Sequence, residues 1–438
     1  MISTGLAGAL TARGHVVQCF KKGPDYIDPM WLAAASSRAC YNLDFNTMNP
    51  EEFTALMCSR SGNADVAMIE ANKGLYDGVD LQGRDSNAAL AKLIKMPVIL
   101  VIDTNGMTRG IAPLLLGYQA FDPEVNIAGI ILNKVGGPRH EGKLRAAVEA
   151  YTDIPVVGAV GRNSRLDIGE RHLGLTTPSE TAHLHSKIDE ISKVVGASVD
   201  LDRLLTIAGA APQVPVMPRL RPEAIYKGMK IAIARDKAFG FYYTDDLERF
   251  SALGAELVPF NAMTDTALPE VDGLFIGGGF PETQMEALAA NGALRSDIKR
   301  AIEAGMPAYA ECGGLMYLCN AMVWDGKSYD MCGVVQADAV MCKRPQGRGY
   351  VQYNATQNHP WGRFTAPTKA HEFHYARLEN MGESPTYARK LMRGAGIDGK
   401  HDAIVTHNLV AGFCHLRNTA ENPWVDRFLA FVQSKQKP

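Results

Sequence analysis

MPAYAECGGLMYLCNAM, residues 306–322, is the stretch whose reading decides the fold. An apolar run enters Glu311-Cys312, two glycines follow, and Leu315, Met316, Leu318 and Cys319 then recur at helical spacing. That order is strand, tight turn, helix, the unit from which parallel α/β sheets are built. Gly313 and Gly314 permit the turn and a close backbone approach. A cysteine on such a turn projects its thiol above the sheet, and the start of the helix favours the thiolate. The plainer alternative is a buried structural cysteine beside a glycine turn.

Two distant stretches favour the nucleophile. GLFIGGGFPE (273–282) puts Gly277, Gly278 and Gly279 at a strand end, where free N–H groups can bind an oxyanion. AGFCHLRN (411–418) puts His415 after a short strand, available as base to the thiol. Cysteine turn, glycine-rich strand end and late histidine together resemble a class I glutamine amidotransferase domain. The resemblance implies that Cys312 attacks the glutamine side-chain amide, His415 moves the proton, and Gly279 and Gly313 stabilise the oxyanion as ammonia leaves. Most such domains carry glutamate two residues beyond the histidine. Here that position is Arg417, and the residue that orients His415 is left unidentified. KAHEFHYARL (369–378) offers His371, Glu372 and His374, but the spacing H-E-x-H is not the H-E-x-x-H of a zinc protease.

Composition sets the frame around these stretches. At 438 residues the chain is long for one core, so two or three domains are expected. A 46% hydrophobic and 21% charged composition describes a globular protein with ample core. The net charge of −2 provides no basic field for nucleic acid or an anionic membrane. No run approaches the roughly 18 apolar residues of a membrane span. The N-terminus lacks a secretion signal, so the expectation is a cytoplasmic protein. Eight scattered cysteines without a C-x-x-C pair read as reduced thiols.

In the first half, DVAMI (65–69), MPVILVID (96–103), NIAGIILNK (126–134) and IPVVGAVG (154–161) are continuous apolar runs of the kind buried on both faces of a parallel sheet. Helical stretches such as Asp85–Lys95 and Gly142–Tyr151 separate them. Polar residues gather where these strands end. CFKKGPDYIDP (19–29) supplies Lys21, Asp25 and Asp28 around a Gly-Pro turn, a set suited to phosphate and Mg²⁺. AMIEANKGLYDG (67–78) supplies Glu70 and Asp77, VILVIDTNG (98–106) supplies Asp103, and IILNKVGG (130–137) supplies Asn133. Ligands of open α/β sheets sit at that edge.

Taken in order, FKKGPDYIDP, GLYDG, ARDKAFGFYY, GLFIGGGFPE, ECGGLMYL and HEFHY resemble the cobyrinic acid a,c-diamide synthase family over nearly the whole chain. The resemblance implies an ATP-dependent domain similar to dethiobiotin synthetase joined to the amidotransferase, with ATP, Mg²⁺, glutamine and a tetrapyrrole as reactants. Such enzymes phosphorylate a peripheral acetate, and glutamine-derived ammonia displaces the phosphate. Lys21, Asp25, Asp28, Glu70, Asp77, Asp103 and Asn133 would then serve ATP, metal and substrate, with Glu70 and Asp28 as the Mg²⁺ ligands. His371, Glu372 and His374 would serve substrate or the domain interface.

The expected architecture is two doubly wound α/β domains. Residues 1–190 form the P-loop-type synthetase domain, 191–228 a proline-rich linker, and 229–438 the amidotransferase domain. The family opens with a strand and a G-x-x-x-x-G-K-[ST] loop ahead of a helix resembling ISTGLAGAL (2–10). The expectation is therefore that this loop lies upstream of Met1, a late start being favoured over loss of the kinase half-reaction. MWLAAASSRACYNLDFNTM (30–48) and EANKGLYDG (70–78) depart from the corrinoid pattern. They keep siroheme or nickel-sirohydrochlorin amidation as an alternative. A tetrapyrrole-binding protein with glutaminase but no synthetase activity is the alternative of another class. Oligomeric state stays open, a homodimer being the assembly considered.

Overall fold

Helix α1 (Ile2–Ala12) opens the computed structural model, which describes residues 1–163, 168–171, 174–181, 184–213, 223–362, 364 and 366–436. The chain divides into two units, residues 1–45 with 50–219, and residues 46–49 with 220–438.

In the first unit, β1 (Val17–Lys22) pairs in parallel with β2 (Tyr41–Leu43) and β3 (Val66–Glu70), and α2 (Ile27–Ser36) and α3 (Pro50–Ser61) make the crossovers. A second parallel sheet joins β4 (Val98–Asp103), β5 (Ile127–Val135) and β6 (Val156–Gly161). Its crossovers follow α4 (Asn87–Ile94), through α5 (Ile111–Phe121) and α6 (Pro138–Tyr151). The continuous apolar runs are thus parallel strands, although β4 leaves Val101 exposed. The helix read at Asp85–Lys95 starts two residues later, because the Ser86 hydroxyl accepts the Ala89 N–H at 3.1 Å and caps it. Two short strands, β7 (Glu170–Arg171) and β8 (Gly174–Leu175), form a minimal antiparallel ladder.

Helices α7 (Leu184–Ser198) and α8 (Leu201–Gly209) also belong to this unit. Ile188, Ile191, Val195, Leu201 and Leu204 join Ile2, Leu6 and Leu10 of α1 and Ile131 and Val157 of the second sheet in one core. The first part of the stretch read as linker, up to residue 209, is therefore helical with a buried apolar face. Residues 214–222 of that stretch lie outside the described residues.

The second unit is built on a nine-stranded mixed sheet. Its parallel part contains β9 (Lys230–Ala234), β11 (Glu256–Phe260), β12 (Gly273–Ile276), β14 (Ala308–Glu311) and β23 (Leu409–Gly412). A two-stranded ladder of β10 (Phe239–Phe241) and β13 (Gly278–Gly279) stands beside it. Alternation divides the core between two faces. Ala232, Ala234, Ala308 and Ala310 meet α10 (Met285–Ala290) and α11 (Gly292–Glu303) on one side. Ile231, Ile233 and Tyr309 meet α9 (Thr244–Ala252) and α13 (Trp424–Lys435) on the other. Helix α12 (Gly313–Leu318) follows β14 directly.

The sequence reading did not include the antiparallel half of this unit. β18 (Gly347–Ala355), β19 (Thr368–His374), β21 (Tyr387–Arg393) and β22 (His401–Thr406) extend the main sheet, β19 forming its edge. β15 (Cys319–Trp324), β16 (Lys327–Asp330), β17 (Val335–Met341) and β20 (Ala376–Glu379) form a separate four-stranded sheet. Among the described residues no helix is long and apolar enough to cross a membrane.

Candidate active site

Cys312 occupies the turn between β14 and α12 with φ 48° and ψ −103°, a backbone conformation unfavourable for any residue with a Cβ. Two contacts hold it there: the Cys312 N–H donates to Gly412 O at 2.7 Å, and Met316 N–H donates back to Cys312 O at 3.1 Å. The neighbouring glycines are required sterically. A Cβ on Gly314 would lie 2.2 Å from Ile276 O, and one on Gly278 would lie 2.7 Å from the His415 ring. A Cβ on Gly313 would lie 3.2 Å from the Gly279 amide nitrogen, so the backbones of the two glycines stand close together. The Cys312 sulfur lies 4.0 Å from Phe373 O.

His415, after β23, is buried and hydrogen-bonds Cys312. Its Nδ1 lies 3.3 Å from Glu311 Oε2, the residue immediately before the nucleophile. Burial by itself disfavours the imidazolium, but the hydrogen bonds to Cys312 and Glu311 outweigh it and raise the His415 pKa to about 10. Arg417 does not replace the usual glutamate. It is buried beside Asp245 at 2.6 Å, with its guanidinium over the Tyr243 ring.

The HEFHY stretch belongs to this site. His371 and His415 exchange backbone hydrogen bonds at 3.3 and 2.8 Å, and their rings stack 4.9 Å apart. Burial, with help from His415 and Arg417, holds His371 well below the ordinary histidine range, so it is a neutral ring against a charged one. Glu372 accepts the Ala395 and Gly396 N–H groups at 2.6 and 2.8 Å. His374 stacks on Phe413 at 3.9 Å and bonds Ala376 O at 2.8 Å. All three are buried within the second unit.

In the first unit, Lys21 on β1 stands beside Glu70 on β3. The buried Lys21 ammonium lies 2.6 Å from Asp28 and 3.9 Å from Glu70. Asp25 Oδ1 accepts the Ile27 and Asp28 N–H groups at 2.9 and 3.0 Å, opening α2. Three carboxylates around one lysine leave excess negative charge. Burial and Asp28 push the Asp25 carboxyl up to about 6 despite Lys21, and burial also raises Glu70. The Ser3 hydroxyl, at the start of α1, bonds Glu70.

The other residues read from this half stand apart from that cluster. Asp77 is exposed and accepts Gly74 N–H at 3.1 Å. Asp103 and Asn133 are register partners, but Asp103 pairs with Lys134 at 2.8 Å on the surface, and Asn133 Oδ1 accepts the Lys134 N–H at 2.9 Å. Among the described residues no group of three His, Cys, Asp or Glu side chains is arranged to hold a metal ion.

Glu311 was missed in the sequence because the expected carboxylate follows the histidine. A charged residue ending an otherwise apolar strand was the available signal.

Residues 230–423 match the CobB/CobQ-like glutamine amidotransferase domain, and residues 4–168 match an AAA domain. The chain is 42% identical to the cobyrinate a,c-diamide synthase of Magnetococcus marinus, over 98% of this chain and 93% of that one. It is 40% identical to the synthase of the same name from Dehalococcoides mccartyi, over 95% of this chain and 91% of the relative. The Archaeoglobus fulgidus synthase is 38% identical over 100% and 95% of the two chains. With an amidotransferase unit and a nucleotide-binding unit both matched, the chain belongs to the cobyrinate a,c-diamide synthase family and is a glutamine-dependent, amide-forming ligase.

Proposed function

We propose that this protein uses ATP and glutamine to amidate acetate carboxylates of cobyrinic acid, as a step of cobalamin-type biosynthesis. The observation that carries the reading is identity of about two residues in five to curated cobyrinate a,c-diamide synthases across both units.

Cys312 attacks the side-chain amide carbon of glutamine, and Gly279 and Gly313 N–H groups receive the developing oxyanion. His415 gives its proton to the departing ammonia, leaving a glutamyl thioester. It then takes a proton from water as that water attacks the thioester, and glutamate leaves with the proton shared again between His415 and the Cys312 sulfur. In the first unit an acetate oxygen attacks the γ-phosphate of ATP, giving an acyl phosphate and ADP. Ammonia attacks the acyl carbon, phosphate leaves, and an amide remains.

Lys21 supplies a fixed positive charge for phosphate, and Asp25 and Asp28 set its position through the turn into α2. Mg²⁺, when bound, would neutralise charge on the transferred phosphate. Asp28 and Glu70 would hold it, because two carboxylates with phosphate oxygens and water are its usual ligands and the excess negative charge here suits a cation. Asp77, Asp103 and Asn133 remain candidates for contacts to nucleotide or tetrapyrrole.

The departures at residues 30–48 and 70–78 favour one second reading, amidation of siroheme or nickel-sirohydrochlorin by the same chemistry. Incubating the full-length protein with MgATP, glutamine and each tetrapyrrole in turn, with products counted by mass spectrometry, tests both. The expected result is stepwise conversion of two carboxylates of cobyrinic acid to amides, dependent on ATP. Amidation confined to the sirohydrochlorin series would establish the second reading instead. No amidated product from any ring, with glutamine or ammonium as donor, would overturn both.

A further inference from the structure

The second unit contains a buried polar chain that the glutaminase reaction described above leaves without a role. It begins at His415, whose Nδ1 lies 3.3 Å from Glu311 Oε2. The other carboxylate oxygen, Oε1, accepts the Tyr309 hydroxyl at 2.6 Å and the Leu416 N–H at 2.8 Å. Tyr309 OH in turn accepts from Arg389 Nη2 at 3.2 Å, and Arg389 Nη1 lies 3.2 Å from Asp402 Oδ2. Asp402 closes the chain by accepting the Phe413 and Cys414 N–H groups at 2.8 and 3.3 Å, on the segment that carries His415. All five side chains are buried. Burying two carboxylates and a guanidinium is costly unless each is bonded and paired, and packing alone would be served better by apolar residues.

We propose that Glu311 is the positioning carboxylate of the glutaminase, filling from the residue before the nucleophile the role that Arg417 cannot fill from beyond the histidine. Glu311 takes the Nδ1 proton of His415 as a hydrogen bond. That leaves the other ring nitrogen for the Cys312 sulfur and fixes the orientation of the ring. Tyr309, Arg389 and Asp402 hold the carboxylate in one orientation and tie it to the backbone on either side of His415. Placing the orienting group next to the nucleophile also couples the two geometrically: one strand end sets both Glu311 and Cys312. His371 stacks on the face of His415, Tyr243 lies behind His371 at 3.3 Å, and Arg417 is engaged by Asp245.

This inference rests on Cys312 and His415 as the glutaminase pair, so its test separates the two ideas. Glutamate release by the full-length protein is measured as kcat and KM against pH for Glu311→Gln, Glu311→Asp, Tyr309→Phe and Cys312→Ala. Glu311→Gln is expected to lower kcat about 100-fold or more with KM within about threefold, and Glu311→Asp to recover at least about tenfold of that loss. Losing the carboxylate removes what holds the imidazolium, so the alkaline limb of the Glu311→Gln profile should move down by about one pH unit or more. Tyr309→Phe should shift it the same way by less. A side chain that merely fills space would leave the limb where it is. Should Glu311→Gln fail to fold, judged by its circular dichroism and melting profile, the limb positions of Tyr309→Phe and Glu311→Asp decide. Wild-type kcat and an unmoved limb in the folded variants would overturn the proposal. Full glutaminase activity in Cys312→Ala would overturn the reading beneath it.

Discussion

Asp25 shows at the scale of one residue how a site is held against folding stability. Its carboxyl is pushed up to about 6 by burial and by Asp28, against an ordinary value of 3.8. Between these values the folded protein holds a proton that the unfolded chain releases, so stability falls as pH rises through that window. The penalty is fully present above it, on the order of 3 kcal/mol. Asp25→Asn keeps an oxygen to accept the Ile27 and Asp28 N–H groups while removing the charge. The variant should therefore be more stable than wild type at pH 7 by about that amount, with the difference shrinking toward pH 4. ATP-dependent amidation should fall more than tenfold, since a negative charge that helps hold the Lys21 ammonium at the phosphate edge is lost. Urea titrations at both pH values check the first half. Equal stabilities at pH 7 would mean that Asp25 is not penalised. Cys312 is a parallel case, its φ of 48° being held by the Gly412 and Met316 backbone bonds rather than by any preference of cysteine.

At the scale of elements, the pattern most legible in the sequence was the one with the strongest period. Continuous β-branched runs became parallel strands, and ECGG became the strand-to-helix turn, because a strand's apolar run and a tight turn each leave a compositional mark. The antiparallel strands from β15 to β22 left weaker marks, their exposed faces mixing polar residues with apolar ones. Lys21 and Glu70 were legible as a pair because both end strands at one sheet edge, and their register confirms it. Glu311 and His371 were not legible as partners of His415, since residues 104 and 44 positions away in sequence meet through sheet topology that no local pattern encodes.

The glycines of ISTGLAGAL acquire a reason at this scale too. A Cβ on Gly5 would sit 2.5 Å from Val195 Cγ2, so α1 and α7 approach more closely than side chains allow. Gly5→Leu should accordingly destabilise the first unit by about 1–3 kcal/mol and lower its melting temperature. Glutamine hydrolysis, carried by the second unit, should persist. An unchanged melting profile would show that α1 can shift away from α7 at little cost.

For the whole molecule, the proposed reaction divides into ammonia production and ammonia use. The cysteine, the histidine and the neighbouring glycines lie in the second unit. The lysine and its carboxylates lie in the first. Relatives covering more than nine-tenths of both chains match this order of units. Such a division means the acceptor chemistry does not need the nucleophile, only the ammonia it yields. The most direct measurement is amidation of the tetrapyrrole by Cys312→Ala, with glutamine and with ammonium chloride as alternative donors. The account predicts that the glutamine-dependent rate falls at least about 1000-fold while the ammonium-dependent rate stays at the wild-type level. A variant that amidates with glutamine as fast as wild type, or that loses both rates together while remaining folded, would contradict it.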